Sequence, residues 1–216
     1  MNKVDLAHMI DYTLLKPDAT TAEIERVCRE AIELGVYAVC FNPIHIATAK
    51  RSLASHDVKV CTVAGFPLGA SVTAVKAFET LDSVNKGADE IDIVMNIGAF
   101  KDGSFSDVQM DVAAVVKAAR EKVLIKVILE TNLLTDDEIR HACILCRDAG
   151  ASFVKTATGI TSGGALTRHV EIMRSAVGYD MGVKAAGGIR DYDTAVAMVN
   201  AGANRIGTSS AVNILS

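Results

Sequence analysis

A chain of 216 residues, half of them hydrophobic and only three of them proline, can bury a sizeable core and fits a single domain over 1–216 better than two. Its formal net charge of −4 is spread along helical patterns, which argues against nucleic acid or any other large polyanion as a partner. No apolar run approaches the roughly 20 residues of a membrane span, and the opening MNKVDLAHMIDYT has no signal-peptide stretch; no membrane partner and a cytoplasmic location are expected.

Strand-like and helix-like patterns alternate along the chain. The strand patterns fall at 9–13 (MIDYT), 36–41, 58–66, 90–96 (EIDIVMN), 124–130 (LIKVILE), 153–157 (FVKTA), 182–187 (GVKAAG) and 205–209 (RIGTS). Amphipathic helical patterns lie between them: TTAEIERVCREAIELG, SVTAVKAFETLDSVNKG, TDDEIRHACILCRDAG and DYDTAVAMVNAG. Several open on Ser, Thr or Asp, and glycines at 35, 87, 150, 178 and 202 mark their ends. Eight strands leave about 27 residues per βα unit, enough for a strand, a loop and a helix. The pattern predicts an α/β fold, a (β/α)8 TIM barrel. An open doubly wound sheet competes, but its GxGxxG after the first strand is absent, since that strand runs into LLKPDA.

The five cysteines (28, 40, 61, 143 and 146) are odd in number and sit in apolar patterns, as reduced core thiols do. Cys143-x-x-Cys146 lies in a helical pattern with nothing to complete a zinc site, and the five histidines form no HExxH or other cluster. Neither a metal nor a cofactor is expected.

Inside a barrel, alternation turns Ile91, Ile93 and Met95 outward and Asp92, Val94 and Asn96 inward; likewise Lys126, Ile128 and Glu130 inward. The same geometry aims Lys155 and Lys184 into the interior. Buried charges persist only where they pair or work. One reading makes Asp92 and Lys126 a structural ion pair, but it does not absorb the other two lysines. Active sites of such barrels lie at the C-terminal strand ends, with phosphate often held after strands seven and eight. Those loops carry Gly187-Gly188 and Gly207-Thr208-Ser209-Ser210, and GITSGG follows Lys155; backbone N–H groups and hydroxyls there suit a phosphorylated small substrate. GFPLGAS (65–71) lacks the ending of a nucleotide-binding loop and reads as a plain connection into a helix.

A neutral lysine amine attacks a carbonyl carbon to form an imine, but the reference pKa is about 10.4. Two like charges about 4 Å apart repel by roughly 4 kcal/mol at an effective dielectric of about 20, so Lys184 on the adjacent strand is expected to favour the neutral form of Lys155. An imine lysine, an interior carboxylate and a phosphate cradle together describe a metal-independent aldolase.

FVKTATG, GVKAAGGIR, RIGTSS, EIDIVMNIGAF, KVILETNLLTDDEI, AVCFNP and IDYTLLKP resemble the deoxyribose-phosphate aldolase family from about residue 9 to residue 210. The resemblance implies reversible cleavage of 2-deoxy-D-ribose 5-phosphate to acetaldehyde and D-glyceraldehyde 3-phosphate through a lysine imine. It matches Lys155 to the imine lysine, Lys184 to the second lysine, and Asp92 to the aspartate that moves protons with water. Gly159, Gly187, Gly188, Gly207, Ser209 and Ser210 match phosphate-side positions. Asp11, Thr13, Cys40, Lys126 and Thr158 match positions lining the pocket. The expected partners are therefore a phosphorylated sugar and small aldehydes, with a homo-oligomer, dimer or tetramer, as the assembly. The chain departs from the family at Tyr12, where IDHT is common, and at Ala157, where KTSTG is common. Tyr12 alternates with Asp11 and is expected to face outward; Ala157 removes a hydroxyl beside Lys155. The six residues after Ser210 leave little for a last helix and hold no tyrosine-bearing tail of the kind some members use. Another imine-forming aldolase acting on a different phosphorylated sugar, and a catalytically silent binding barrel, are the rival readings.

Overall fold

The computed structural model describes residues 1–120, 123–161 and 163–216. Eight parallel strands close in sequence order, β1 (Ile10–Leu14), β2 (Ala38–Phe41), β3 (Lys59–Ala64), β4 (Glu90–Val94), β5 (Leu124–Ile128), β6 (Phe153–Lys155), β7 (Gly182–Ala186) and β8 (Arg205–Thr208), with β8 pairing back onto β1. Helices surround them: α1 (Lys3–Ala7), α2 (Thr21–Leu34), α3 (Ile46–Ser52), α4 (Thr73–Asn85), α5 (Ile97–Lys101), α6 (Phe105–Ala118), α7 (Asp136–Asp148), α8 (Thr167–Val177), α9 (Tyr192–Asn200) and α10 (Ala211–Leu215). This is the (β/α)8 barrel the alternation predicts. None of the described helices is long and apolar enough to cross a membrane.

The helix boundaries follow their capping chemistry. Thr20 and Thr135 open α2 and α7 with reciprocal capping boxes to Glu23 and Glu138, satisfying backbone donors that the first turn leaves free. At the other end of α2, Gly35 adopts the left-handed conformation (φ 63°) that a side chain would resist. Ala211 and Ile214 of α10 are buried, and the barrel is closed.

Alternation sorts the strand residues into two layers. Ile91, Ile93, Ile125, Val127, Val154, Val183 and Ile206 pack outward with Met95, Leu129 and the helices. Tyr12 also faces outward, buried against α2, where its hydroxyl donates to Glu30 Oε2 at 2.7 Å. Cys143 and Cys146 are buried on α7, and the five cysteines are free thiols.

Several strands are shorter than their patterns. β3 stops at Ala64 because Gly65 turns the chain (φ 59°). β6 ends at Lys155, yet Thr156 prolongs the pairing to β7: its N–H donates to Lys184 O at 3.1 Å, and its hydroxyl donates to Ala186 O (2.8 Å) while accepting from Ala186 N–H (2.9 Å). Asn96, read as inward-facing, lies past the end of β4, where its Oδ1 caps α5 by accepting from Ala99 N–H.

One support for the site lies outside the barrel. Lys76 of α4 is fully buried and donates to Val94 O (2.9 Å) at the end of β4 and to Asp111 Oδ2 (2.6 Å) on α6. It thereby ties two helices to the strand that carries Asp92. Removing one member of a buried pair strands the other's charge, so Lys76→Met is expected to lower unfolding stability by about 3–5 kcal/mol. Lys76→Met combined with Asp111→Leu should recover most of that loss in denaturant titrations; an unrecovered double variant would show that the Val94 contact matters more than the charge pair.

Candidate active site

The interior of the barrel is a column of paired charges. At its base Arg205, the first residue of β8, stacks on the ring of Tyr37 (3.7 Å to the centroid) and lies 5.4 Å from that of Phe153. Its guanidinium donates to Asp11 Oδ1 (2.8 Å) and Glu90 Oε2 (2.9 Å). One layer higher, Lys126 reaches Glu90 Oε2 (2.7 Å) and Asp92 Oδ1 (2.8 Å), with Asp11 Oδ2 at 3.8 Å. The Asp92–Lys126 ion pair is thus present and extends to Glu90. Lys184 donates to Asp11 Oδ2 and, at 2.8 Å, to Asp92 Oδ2. Lys155 donates to the same Asp92 Oδ2 at 2.8 Å.

Strand register explains the meeting of the two lysines. Lys155 and Lys184 are paired residues of β6 and β7, so their side chains leave the sheet side by side. Gly207 on β8 makes room for one of them: a Cβ there would lie 3.0 Å from Lys184 Cε and 2.9 Å from Ala186 Cβ. This glycine is required by close approach inside the barrel, quite apart from any ligand.

Above the column a cavity of about 240 Å3 opens at the C-terminal ends of the strands. Lys155 lies in its wall with Thr13, Thr158, Gly159, Gly187, Gly188, Gly207 and Ser209, all expected site residues. Asp11, Cys40, Asp92, Lys126 and Lys184 are fully buried below it, Cys40 in a small apolar cluster with Leu15, Cys61 and Val63. Ser210 does not line the cavity; it stands at the head of α10, where its N–H donates to Thr208 Oγ1. Ala157 is buried, its Cβ 3.3 Å from where a Cβ on Gly187 would stand.

Burial alone would push the carboxyl groups of Asp11 and Asp92 above their ordinary range. The surrounding cations reverse this: Lys184, Lys126 and Arg205 hold Asp11 low, and Lys126, Lys155 and Lys184 hold Asp92 well below it. Burial pulls Lys126 and Lys184 down, but Asp92 chiefly raises the first and Asp11 the second, above a usual lysine. Burial pushes the Cys61 thiol well up, whereas its hydrogen bond lowers that of Cys40.

A DeoC/LacD family aldolase model matches residues 6–216. The chain belongs to this family. Similar members include deoxyribose-phosphate aldolases from Clostridium perfringens (52% identical over 214 residues, 99% of this chain and 96% of that one) and Thermococcus gammatolerans (54% over 215 residues, 98% and 96%). Among solved structures, the tetrameric deoxyribose phosphate aldolase from Aeropyrum pernix superposes with a TM-score of 0.93 at 38% identity, covering 99% of this chain and 91% of that one.

Among the described residues of this DeoC/LacD barrel, two triads have metal-ligand character, Cys40–Cys61–Asp92 and Asp11–Cys61–Glu90, with donor atoms within 4.8 Å of one another. Cations already hold every one of those donors except Cys40. Lys126 donates to Cys61 Sγ (3.3 Å) as well as to Asp92, and Arg205 holds Asp11 and Glu90. A dication there would have to displace an ammonium or guanidinium group, so neither triad fits a resident metal.

Several residues at the site escaped the sequence reading. Glu90 and Arg205 were legible in principle, since they share parity with Asp92 and Gly207, but each opens its strand and looks like a solvated end. Lys16 and Arg190, two exposed cations, line the cavity from LLKP and GGIR, motifs whose glycines and apolar residues drew the attention.

The pH dependence follows from these shifts. Asp11 is held below the ordinary aspartate value of about 3.9, so the stability it contributes is present above about pH 4 and is lost as pH falls through the folded value. Asp11→Asn should therefore cost about 3–5 kcal/mol near neutrality, with the gap to the unsubstituted protein narrowing progressively below pH 4. A gap independent of pH would show that packing, not charge, holds the base of the column.

Proposed function

We propose that this chain is a deoxyribose-phosphate aldolase that cleaves 2-deoxy-D-ribose 5-phosphate to acetaldehyde and D-glyceraldehyde 3-phosphate through an imine on Lys155. One observation carries the reading: Lys155 is the amine that reaches both the cavity and the buried charge column, touching Asp92 below and open to a carbonyl above. Its neutral amine attacks the substrate's C1 aldehyde, and loss of water gives the iminium. That cation draws electrons from the C2–C3 bond as the C3 hydroxyl loses its proton, so the bond breaks and glyceraldehyde 3-phosphate departs. The enamine left on Lys155 takes a proton at C2, and hydrolysis of the iminium releases acetaldehyde.

Asp92 and Lys184 supply the proton traffic. They share a hydrogen bond at Oδ2, the oxygen that Lys155 also contacts, so a proton shifted among the three moves less than 3 Å between heavy atoms. Lys184 stands beside Lys155 across the β6–β7 pairing and is itself held by Asp11. The phosphate end seats against Gly159, Gly187, Gly188, Gly207 and Ser209, with Ser210 behind; Gly159, Gly187 and Gly188 have positive φ, which lets their backbone approach an anion closely. Asp11, Thr13, Cys40, Lys126 and Thr158 shape or support the pocket. The protein works in the cytoplasm as a dimer or tetramer. Exposed Val72 and Phe78 at α4 and Met110 on α6 suit such an interface, and the Aeropyrum pernix relative is tetrameric.

Reductive trapping tests the reading directly. Borohydride in the presence of acetaldehyde should add one ethyl group to the peptide bearing Lys155, and activity should survive chelators; labelling at Lys126 or Lys184 instead would overturn the assignment. Replacing Ser209 and Ser210 by Ala should weaken use of the phosphorylated substrate by roughly tenfold more than use of 2-deoxyribose. Equal losses on the two substrates would make RIGTSS a structural segment.

A further inference from the structure

Glu130 is buried just past the end of β5, with its backbone in the left-handed region (φ 55°, ψ 59°) that non-glycine residues avoid. Its Oε2 accepts two hydrogen bonds from one residue, from Thr158 N–H at 3.2 Å and from Thr158 Oγ at 2.7 Å. The same Thr158 hydroxyl accepts from Ile160 N–H (3.2 Å) and, more weakly, from Thr161 N–H (3.5 Å). A carboxylate just past β5 thus holds a threonine that organises the turn after β6. That turn contains Gly159 and lies three to six residues beyond Lys155. The next residues secure the same segment further along: Thr131 N–H donates to Thr156 O (2.9 Å) and Asn132 Nδ2 to Gly164 O (2.9 Å). Gly164 in turn abuts Gly187, where a Cβ would lie 2.6 Å from the carbonyl oxygen.

We propose that Glu130 is a positioning residue for phosphate recognition: through Thr158 it fixes the Gly159 turn in the orientation that receives the phosphate end of the substrate. This deepens the aldolase reading above and rests on it. Glu130 does not line the cavity and touches no reacting atom, so its effect is on where a distal group seats, not on imine chemistry. Its position explains why a strained backbone is tolerated at this residue. The left-handed residue carries its side chain to the neighbouring loop, and the two hydrogen bonds from Thr158 hold it there.

The experiment compares 2-deoxyribose 5-phosphate with 2-deoxyribose in four variants, using inorganic phosphate as a competitive inhibitor. Glu130→Ala should lower kcat/KM for the phosphorylated sugar by roughly tenfold more than for the unphosphorylated one, chiefly through KM, and weaken inhibition by phosphate by a similar factor. Glu130→Gln should retain most of the selectivity, because an amide oxygen accepts from the same two donors. Thr158→Val should reproduce the selective loss while leaving Glu130 in place, so the test stands even where Glu130→Ala folds poorly. Glu130→Ala with Thr158→Val should be no worse than the more damaging single change, since the two act through one contact. Equal losses on both sugars, a Gln variant as damaged as the Ala variant, or additive single effects would each overturn the assignment. Acetaldehyde trapping on Lys155 separates the two levels: if the unsubstituted protein is not labelled there the aldolase reading fails, whereas labelling accompanied by unselective losses removes only the role of Glu130.

Discussion

Asp92 Oδ2 accepts hydrogen bonds from two lysines at once, and the arrangement of the barrel interior turns on that shared oxygen. Lys126, Lys155, Lys184 and Arg205 face Asp11, Glu90 and Asp92, leaving one positive charge in excess within the described column. Lys126 has three carboxylates within 4 Å and Lys184 has two, whereas among the described residues Lys155 has Asp92 alone and meets the cavity. Lys155 is thus the most loosely paired cation of the column and the one that opens onto the cavity.

Much of this was readable from the chain because period-two alternation forces a charge in an apolar strand to face inward. Lys155, Lys184, Lys126 and Asp92 all stand in such runs. The same rule fails for Lys76, whose surroundings, TAVKAFET, have helical period and present a lysine that looks solvated; its burial depends on α6 bringing Asp111 against α4, a tertiary fact no local pattern encodes. Glu130, read as inward-facing by alternation, lies past the end of β5; its partner is Thr158, 28 residues away on the next strand's loop, and its left-handed backbone leaves no mark in the letters. The glycines were legible as special positions but not as to reason: Gly159 and Gly188 turn with positive φ, whereas Gly207 yields space to Lys184.

The two buried lysine systems show how similar chemistry serves different ends. Lys76 is fully buried and bonded to a carboxylate and a carbonyl, which suits a fixed strut. Lys155 is bonded by a single carboxylate oxygen that another lysine also uses, and its far side is open. Burial raises the stakes of both; only the second leaves room for a change of bonding partner.

The stacked guanidinium at the base has a consequence for traffic. Arg205, stacked over Tyr37, beside Phe153 and held by Asp11 and Glu90, plugs the barrel beneath the lysines. Lys155 stands between that plug and the cavity, so its amine is approached from the C-terminal ends of the strands alone. On the aldolase reading proposed above, the phosphate-bearing fragment would lie nearer the mouth than the carbon bonded to Lys155 and would leave first, with the tethered two-carbon fragment following it.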